Sequence, residues 1–396
     1  MMKIMAINAG SSSLKFKLYE MPDTTVICAG NFERIGLANS FYTINYNGQT
    51  YKQELVLNNH EDAVNSLVKI LITMKIINQI DEIEGIGHRV VHSGPKYTDS
   101  VIIDEQVIAN LNEISSLAPL HNPANIIAIM AFKNILPQIK VIAVFDTTFH
   151  QTMPKEFFLY PVPYEWYQNY GIRKYGFHGT SHKYIAYRLS QILNNDKLKI
   201  ISCHLGNGSS ICAIDKMKSI DTTMGFTPLA GLPMGTRSGD IDSSIIPYVM
   251  QKSNKTIDEV MTDLNKASGF LGVSGLSADV RDIEAGIEAG NEHCKLAYDI
   301  FINKVVSYIA SYYVLLGGAD VICFTAGIGE RGIEARKNII DKLAPLGIYI
   351  DEAKNNIKSQ EALISREDSK VLCYVIPTDE EFMIAQATYQ LMRDDV

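Results

Sequence analysis

The sequence predicts a mixed α/β protein of two domains. Three observations carry this. The chain has 396 residues, 46% of them hydrophobic and only 20% charged, which is apolar material for more than one ordinary core and too little charge for a disordered chain. Short apolar runs alternate with longer ones at helical spacing along the whole length, as strands interleaved with helices do. A Gly/Ser-rich turn between two apolar runs also occurs twice, half a chain apart.

The elements follow in order. Strands are expected at 4–7, 16–18, 87–91 and 140–145, then at 199–203, 211–214, 321–324 and 371–376. Helices are expected at 63–77, 180–193, 256–266, 291–316, 333–343 and 379–391. The helix near 180 should take Thr180 or Ser181 as its N-cap. The last helix reads as a capping box, with Glu381 closing back on the Thr378 amide. The apolar stretch 305–324 carries Ser307, Ser311, Gly317, Gly318 and Asp320, so it reads as buried helix, turn and strand rather than a membrane span. The apolar run before Asn8 is too short for a signal peptide.

The repeat is specific. Residues 4–7 run into Asn8-Ala9-Gly10-Ser11-Ser12-Ser13 and out into a second strand. Residues 200–203 run into Gly206-Asn207-Gly208-Ser209-Ser210 and out again. Gly10 and Gly208 are 198 positions apart. Gly, Asn and Ser also suit two unrelated β-turns; the half-length offset favours a repeat in which each hairpin presents backbone amides to one phosphate. A third glycine turn, Phe324 to Glu330, sits between a strand and a helix, where a nucleoside or phosphate would lie over the helix N-terminus. No Walker loop and no dinucleotide fingerprint is present.

Lys plus Arg is 36 against 44 Asp plus Glu, a formal charge of −8. With no basic block, binding to a nucleic-acid backbone is excluded as a function. Cys28, Cys203, Cys212, Cys294, Cys323 and Cys373 form no C-x-x-C pair, and several lie in apolar runs as buried thiols do. That composition fits a reducing cytoplasm.

Several residues stand out by their surroundings. Arg89 lies in an apolar strand, where a guanidinium must be paired or at a surface edge. Arg237 lies in a Gly-flanked loop, free to reach a ligand or merely to be solvated. His88/His92 and His178/His182 have i,i+4 spacing, but Gly179 and Thr180 follow His178, so a zinc helix is not the reading. Asp146 ends a buried strand, where α/β sheets place functional carboxylates; it also suits a turn cap.

The motif wording adds a family. INAGSSSLKF (7–16), GHRVVHSG (87–94), FDTTFHQTMP (145–154), YGFHGTSH (175–182), HLGNGSS (204–210), GLPMGTRSGD (231–240), AGIGE (326–330) and PTDEE (377–381) together resemble the acetate and propionate kinases. That family belongs to the duplicated superfamily of sugar kinases, actin and the heat-shock chaperone ATPases. The resemblance implies two actin-like, ribonuclease H-like α/β domains with an interdomain active-site cleft: residues 1–148 plus 379–396, and 149–378.

It also implies reversible Mg2+-dependent transfer of a phosphoryl group from ATP to acetate, with Mn2+ as a substitute metal and a homodimeric, cytoplasmic enzyme. Arg89, Arg237, His178 and Asp146 would be catalytic, and Asn8, Asp146 and Glu380 would hold the metal. Arg89, Val91, Leu120, Phe177 and Pro228 would bind the acyl substrate. The nucleotide would lie against Asn8, Ser11, Ser13 and Lys15, His204, Leu205, Gly206, Asn207 and Gly208, Asp279, Val280 and Arg281, and Gly327, Ile328, Gly329, Glu330 and Arg331. His121 would be a further active-site histidine. Arg331 replaces a common Asn and Val280 a common Met, which leaves the base preference open. Alternative readings are a propionate or other short-chain acyl kinase and, from a different class, an ATPase switch akin to actin.

Overall fold

In the computed structural model, residues 1–118 and 121–394 are described. The chain forms two compact units, Met1–Thr148 with Asp379–Val396, and Phe149–Thr378.

The first unit is built on a sheet of β1 (Met2–Ala9), β2 (Ser13–Met21), β3 (Thr25–Glu33), β4 (Phe41–Tyr46), β5 (Gln49–Glu54), β6 (Ile83–Val90), β7 (Val101–Ile102) and β8 (Lys140–Phe145). Its order is β5-β4-β3-β2-β1-β6-β8-β7. Alternate residues of β1 face opposite sides. Met5 and Ile7 pack with Leu67 and Leu71 of the helix His60–Thr73 and Phe132 of the helix Asn122–Ile135, whereas Ile4 and Ala6 pack with Ile384 and Ala385 of the helix Glu380–Asp394.

The second unit carries β9 (Lys199–Leu205), β10 (Ser209–Asp215), β11 (Lys218–Thr222), β12 (Val321–Thr325), β13 (Ala362–Leu363) and β14 (Leu372–Val375), in the order β11-β10-β9-β12-β14-β13. The helix Glu292–Leu315 fills one side of it with Phe301, Val305 and Ile309; the helix Gly179–Ile192 covers the other with Ile185 and Leu189. Among the described residues no helix is long and apolar enough to cross a membrane.

The repeat read from two turns extends to whole sheets. The order β3-β2-β1-β6-β8-β7 matches β11-β10-β9-β12-β14-β13, and each pairing has the same sense. Two antiparallel pairs lead to two parallel ones and an antiparallel edge. Both glycine turns are hairpin ends, with Ala9 opposite Leu14 and Leu205 opposite Ser209.

Two local expectations are corrected. The helix near 180 begins at Gly179 with His178 at the N-cap position, in the left-handed conformation at φ 56°, so Thr180 and Ser181 are inside it. The final helix is closed by Asp379, whose Oδ1 accepts from the Phe382 amide at 3.0 Å. The Thr378 amide instead donates to Glu330 at 3.3 Å, and Glu381 lies 3.7 Å from Lys17; no Thr378–Glu381 box forms. The loop 231–240 is not a freely solvated arm. Ser238 N–H donates to the Leu264 carbonyl at 3.0 Å, and the Thr236 carbonyl accepts from Ser268 N–H at 2.9 Å.

Candidate active site

In the first unit, β1, β6 and β8 run parallel, and their C-terminal ends bring Asn8, Arg89 and Asp146 together. Ligand sites of α/β sheets collect at such ends. Arg89 Nε donates to both Asp146 oxygens at 2.9 and 3.1 Å, its Nη2 donates to Oδ2, and its Nη1 donates to Asn8 Oδ1 at 3.3 Å. This bidentate fork answers the burial of Arg89: Asp146 is 1% exposed, and each charge would be costly without the other. Burial alone would lower the guanidinium pKa, but Asp146, then Glu380 and Glu381, raise it overall. A cavity of about 230 Å³ opens here, lined by Asn8, Gly10, Ser11, Ser13, Lys15, Arg89, Val91 and His121 among others.

In the second unit, the β9–β10 turn is closed by Gly206 N–H donating to the Gly208 carbonyl at 3.1 Å. A Cβ added at Gly208 would lie 3.5 Å from the His178 ring and 3.7 Å from Arg237 Nη1, so these three groups border one small space. His178 Nδ1 is 2.9 Å from Ser210 Oγ, and its ring stacks on His204 at 4.1 Å. Arg237 is half-buried, and burial lowers its pKa. Its Nη1 reaches the Pro228 carbonyl at 3.3 Å, and among the described residues it has no carboxylate partner.

Beyond that turn lies a second cavity of about 520 Å³, whose walls include Gly206, Asn207, Asp279, Val280, Arg281, Gly327, Ile328 and Arg331. Its polar rim is partly self-paired. Asp279 caps the helix Val280–Glu288 and accepts from Arg281 Nε, which holds its carboxyl down to about 2.

The comparisons decide the family. A profile described as the acetokinase family matches residues 3–386. The chain belongs to the acetokinase family. It is therefore a kinase whose phosphoryl acceptor is a carboxylate. It is 53% identical over 393 residues to the acetate kinase of Bacillus mycoides (strain KBAB4), covering 99% of each chain. Two solved structures are each 41% identical to it. The acetate kinase of Porphyromonas gingivalis has a TM-score of 0.92 and covers 99% of this chain and 100% of its own; the propionate kinase of Francisella tularensis subsp. tularensis SCHU S4 has 0.93, with 98% and 100%.

The expected site residues differ in their surroundings within each unit. Leu205 is fully buried in the core of its unit, and Gly329 is buried with its carbonyl accepting from Arg336 at 2.9 Å. Glu330 is a tie rather than a wall, since Oε1 accepts from the Ala326 amide at 2.9 Å and from Thr378. Glu330 thus takes the first amide of the six-residue helix after β12, while Gly327 and Ile328 of that turn line the second cavity. Val91 and Phe177 are buried and Pro228 half-buried; Leu120 lies outside the described residues.

Among the described residues, no three His, Cys, Asp or Glu side chains are grouped to hold a metal alone. Mg2+ keeps several waters and leans on substrate phosphates, so it would need only one or two oxygens from Asn8, Asp146 and Glu380. Burial, and then Asp146 and Glu381 nearby, push the Glu380 carboxyl up to about 7, a crowding of negative charge that a divalent cation would relieve.

Sequence reasoning missed the residues that hold the cradles. Asn125 Nδ2 donates to the Ala9 carbonyl at 2.8 Å and its Oδ1 accepts from Val91 N–H at 3.2 Å. His60 Nε2 donates to the Gly10 carbonyl at 2.8 Å. The one available signal was polar residues opening otherwise apolar helices.

Proposed function

We propose that the chain transfers the γ-phosphoryl group of ATP directly to acetate, reversibly, giving acetyl phosphate and ADP. The observation that carries the mechanism is Arg237, a half-buried guanidinium with no carboxylate partner among the described residues, set beside Gly208 and His178. A desolvated cation of this kind is costly until an anion meets it, and a transferring phosphoryl group is an anion of the right size for the hairpin amides. In this reading Arg237 and the His178 imidazole face the phosphoryl oxygens. Arg89, whose Nε–Nη2 fork is held by Asp146, has Nη1 left to reach the acceptor carboxylate.

Acetate is already ionised at neutral pH, so its oxygen attacks phosphorus without a general base, and the bond to the ADP oxygen breaks. Asn8, Asp146 and Glu380 would hold Mg2+, with Mn2+ as substitute, and the bound metal neutralises the nucleotide phosphates. Asn8, Ser11, Ser13 and Lys15 line the cavity for one set of phosphates. Asp279 to Arg281 and Gly327, Ile328 and Arg331 line the one for the nucleoside.

Val91, Phe177 and Pro228 would meet the acyl tail. One methylene is worth only about 1–3 kcal/mol in an apolar pocket, so propionate is the second substrate, a reading supported by the likeness to a propionate kinase. Exposed Tyr164, Trp166, Tyr170 and Tyr248 support a homodimer, and six free buried cysteines support the cytoplasm.

The test is acyl hydroxamate formation with Mg-ATP and acetate, propionate or butyrate under hydroxylamine trapping. Acetate should give the highest kcat/KM. A preference for butyrate would overturn the small acyl pocket.

A further inference from the structure

Four histidines of the second unit form a linked cluster for which the phosphoryl-transfer reading has only partial use. His182 is fully buried between two serine hydroxyls, with Nδ1 2.9 Å from Ser202 Oγ and Nε2 2.8 Å from Ser210 Oγ. Ser210 Oγ is also 2.9 Å from His178 Nδ1. The series Ser202, His182, Ser210, His178 is therefore continuous.

Counting protons leaves two arrangements. A hydroxyl carries one proton and two lone pairs; among the described residues Ser210 Oγ has no partner besides the two imidazoles, so it donates to one and accepts from the other. Burial, followed by the neighbouring His150 and His204, holds the His182 pKa well below the usual histidine value; the ring is neutral, with one donor and one acceptor nitrogen. In the first arrangement Ser202 donates to His182 Nδ1, His182 Nε2–H donates to Ser210, and Ser210 donates to His178 Nδ1. His178 is then neutral with its proton on Nε2. In the second, every bond is reversed, and His178 has a proton on Nε2 only as a cation.

Ser202 favours the first: its hydroxyl is fully buried and, among the described residues, His182 Nδ1 is its one acceptor, so in the second arrangement its proton would be left unbonded. His178 Nε2 and Arg237 Nη1 border the same point, 3.5 and 3.7 Å from where a Gly208 Cβ would be. Arg237 has no carboxylate to offset it, so a second cation there is disfavoured.

We propose that His182, acting through the Ser210 hydroxyl, is a positioning residue that presets His178 as a neutral imidazole with its proton on Nε2, facing Gly208. The benefit is chemical. A phosphoryl oxygen only accepts hydrogen bonds, so a ring in the other tautomer would turn a lone pair toward an anion. Acetate brings no proton, so nothing in the turnover resets the ring. The proposal rests on the functional reading only for the use made of that Nε2 proton; the arrangement itself is independent of it.

His150 supplies an internal reference. Its Nε2 lies 2.9 Å from the Phe177 carbonyl, which only accepts, so that nitrogen carries the proton, and Nδ1 is 2.8 Å from Ser219 Oγ. The experiment is nitrogen-15 NMR of the full chain with labelled histidine. Wild type should show His178 and His182 each as a single tautomer protonated on Nε2. Ser210→Ala should average the His178 signals between tautomers and leave His150 unchanged. It should also lower kcat on the order of tenfold with the KM for ATP unchanged, and Ser210→Thr should restore both readouts. A wild-type His178 protonated on Nδ1, or a His178 signature indifferent to Ser210→Ala, would overturn the proposal. If the tautomer shifts but kcat does not, the preset stands and the role of His178 in phosphoryl transfer falls.

Discussion

Replacing Arg237 with alanine should separate stability from activity. The side chain makes two long hydrogen bonds, 3.3 Å to the Pro228 carbonyl and 3.7 Å to Met234 Sδ, and burial already lowers its pKa with no carboxylate among the described residues to compensate. Losing a hydrogen bond from a charged group costs about 1.5–3 kcal/mol; relieving an unpaired, partly desolvated cation returns a similar amount. The net change in stability is near zero, and the thermal midpoint should move by no more than ~3 °C. Turnover should respond very differently. An arginine on a transferring phosphoryl group is worth about 10³-fold or more, which is roughly 4 kcal/mol of barrier. The assay is acetate-dependent ADP release beside thermal unfolding, with and without nucleotide. A variant that unfolds many degrees lower while keeping near-normal kcat would refute the reasoning, because Arg237 would then be a structural cation.

Arg89→Ala should behave in the opposite way for stability: it strands the buried Asp146 carboxylate, at about 3–5 kcal/mol, and the thermal midpoint should fall by ~10 °C along with activity. Gly208→Ala should fold, since its new Cβ meets only ordinary contacts at 3.5 Å or more, yet weaken nucleotide binding. Gly235→Ala, whose Cβ would lie 2.9 Å from the Ala278 carbonyl oxygen, a backbone atom that cannot swing away, should express poorly, as solubility would show. Burial holds His88 at about 3, below an unfolded value of about 6.5. Below that value the unfolded chain binds the extra proton, so stability is full above pH ~6.5 and falls by about 1.4 kcal/mol per pH unit as acid is added. His88→Leu, which removes an Nε2 that has no hydrogen-bond partner among the described residues, should flatten that slope by about one proton in an unfolding-versus-pH series. Chelation should abolish turnover, and Glu380→Gln should raise the Mg2+ needed for half-maximal rate about tenfold.

The turns were legible because apolar runs bounded by Gly, Asn and Ser have few other local solutions; both proved to be hairpin ends in matching sheets. The strands β3 to β5 were not anticipated. β5 is exposed throughout, so its sequence carries no alternation of apolar and polar positions, and its place comes from pairing with β4. The helix Asn122–Ile135 is apolar on too many sides to show a stripe. At the site, Arg89 and Asp146 could each be named, but their pairing across 57 positions depends on two parallel strands lying side by side. The Ser202–His182–Ser210–His178 series is equally invisible in one dimension, since it depends on the β9–β10 register, Ser210 opposite His204 and Cys212 opposite Ser202. The bonds of Glu330 to the Ala326 and Thr378 amides were not legible, because a carboxylate next to a glycine turn reads the same whether it meets a ligand or the backbone.

The most direct test of direct transfer to a carboxylate is the stoichiometry of ADP and acyl phosphate with Mg-ATP, measured in the presence and absence of acetate. One acetyl phosphate should form for each ADP released, with negligible ADP when acetate is left out. ADP released at the same rate without any carboxylate would contradict the account and leave an ATPase in its place.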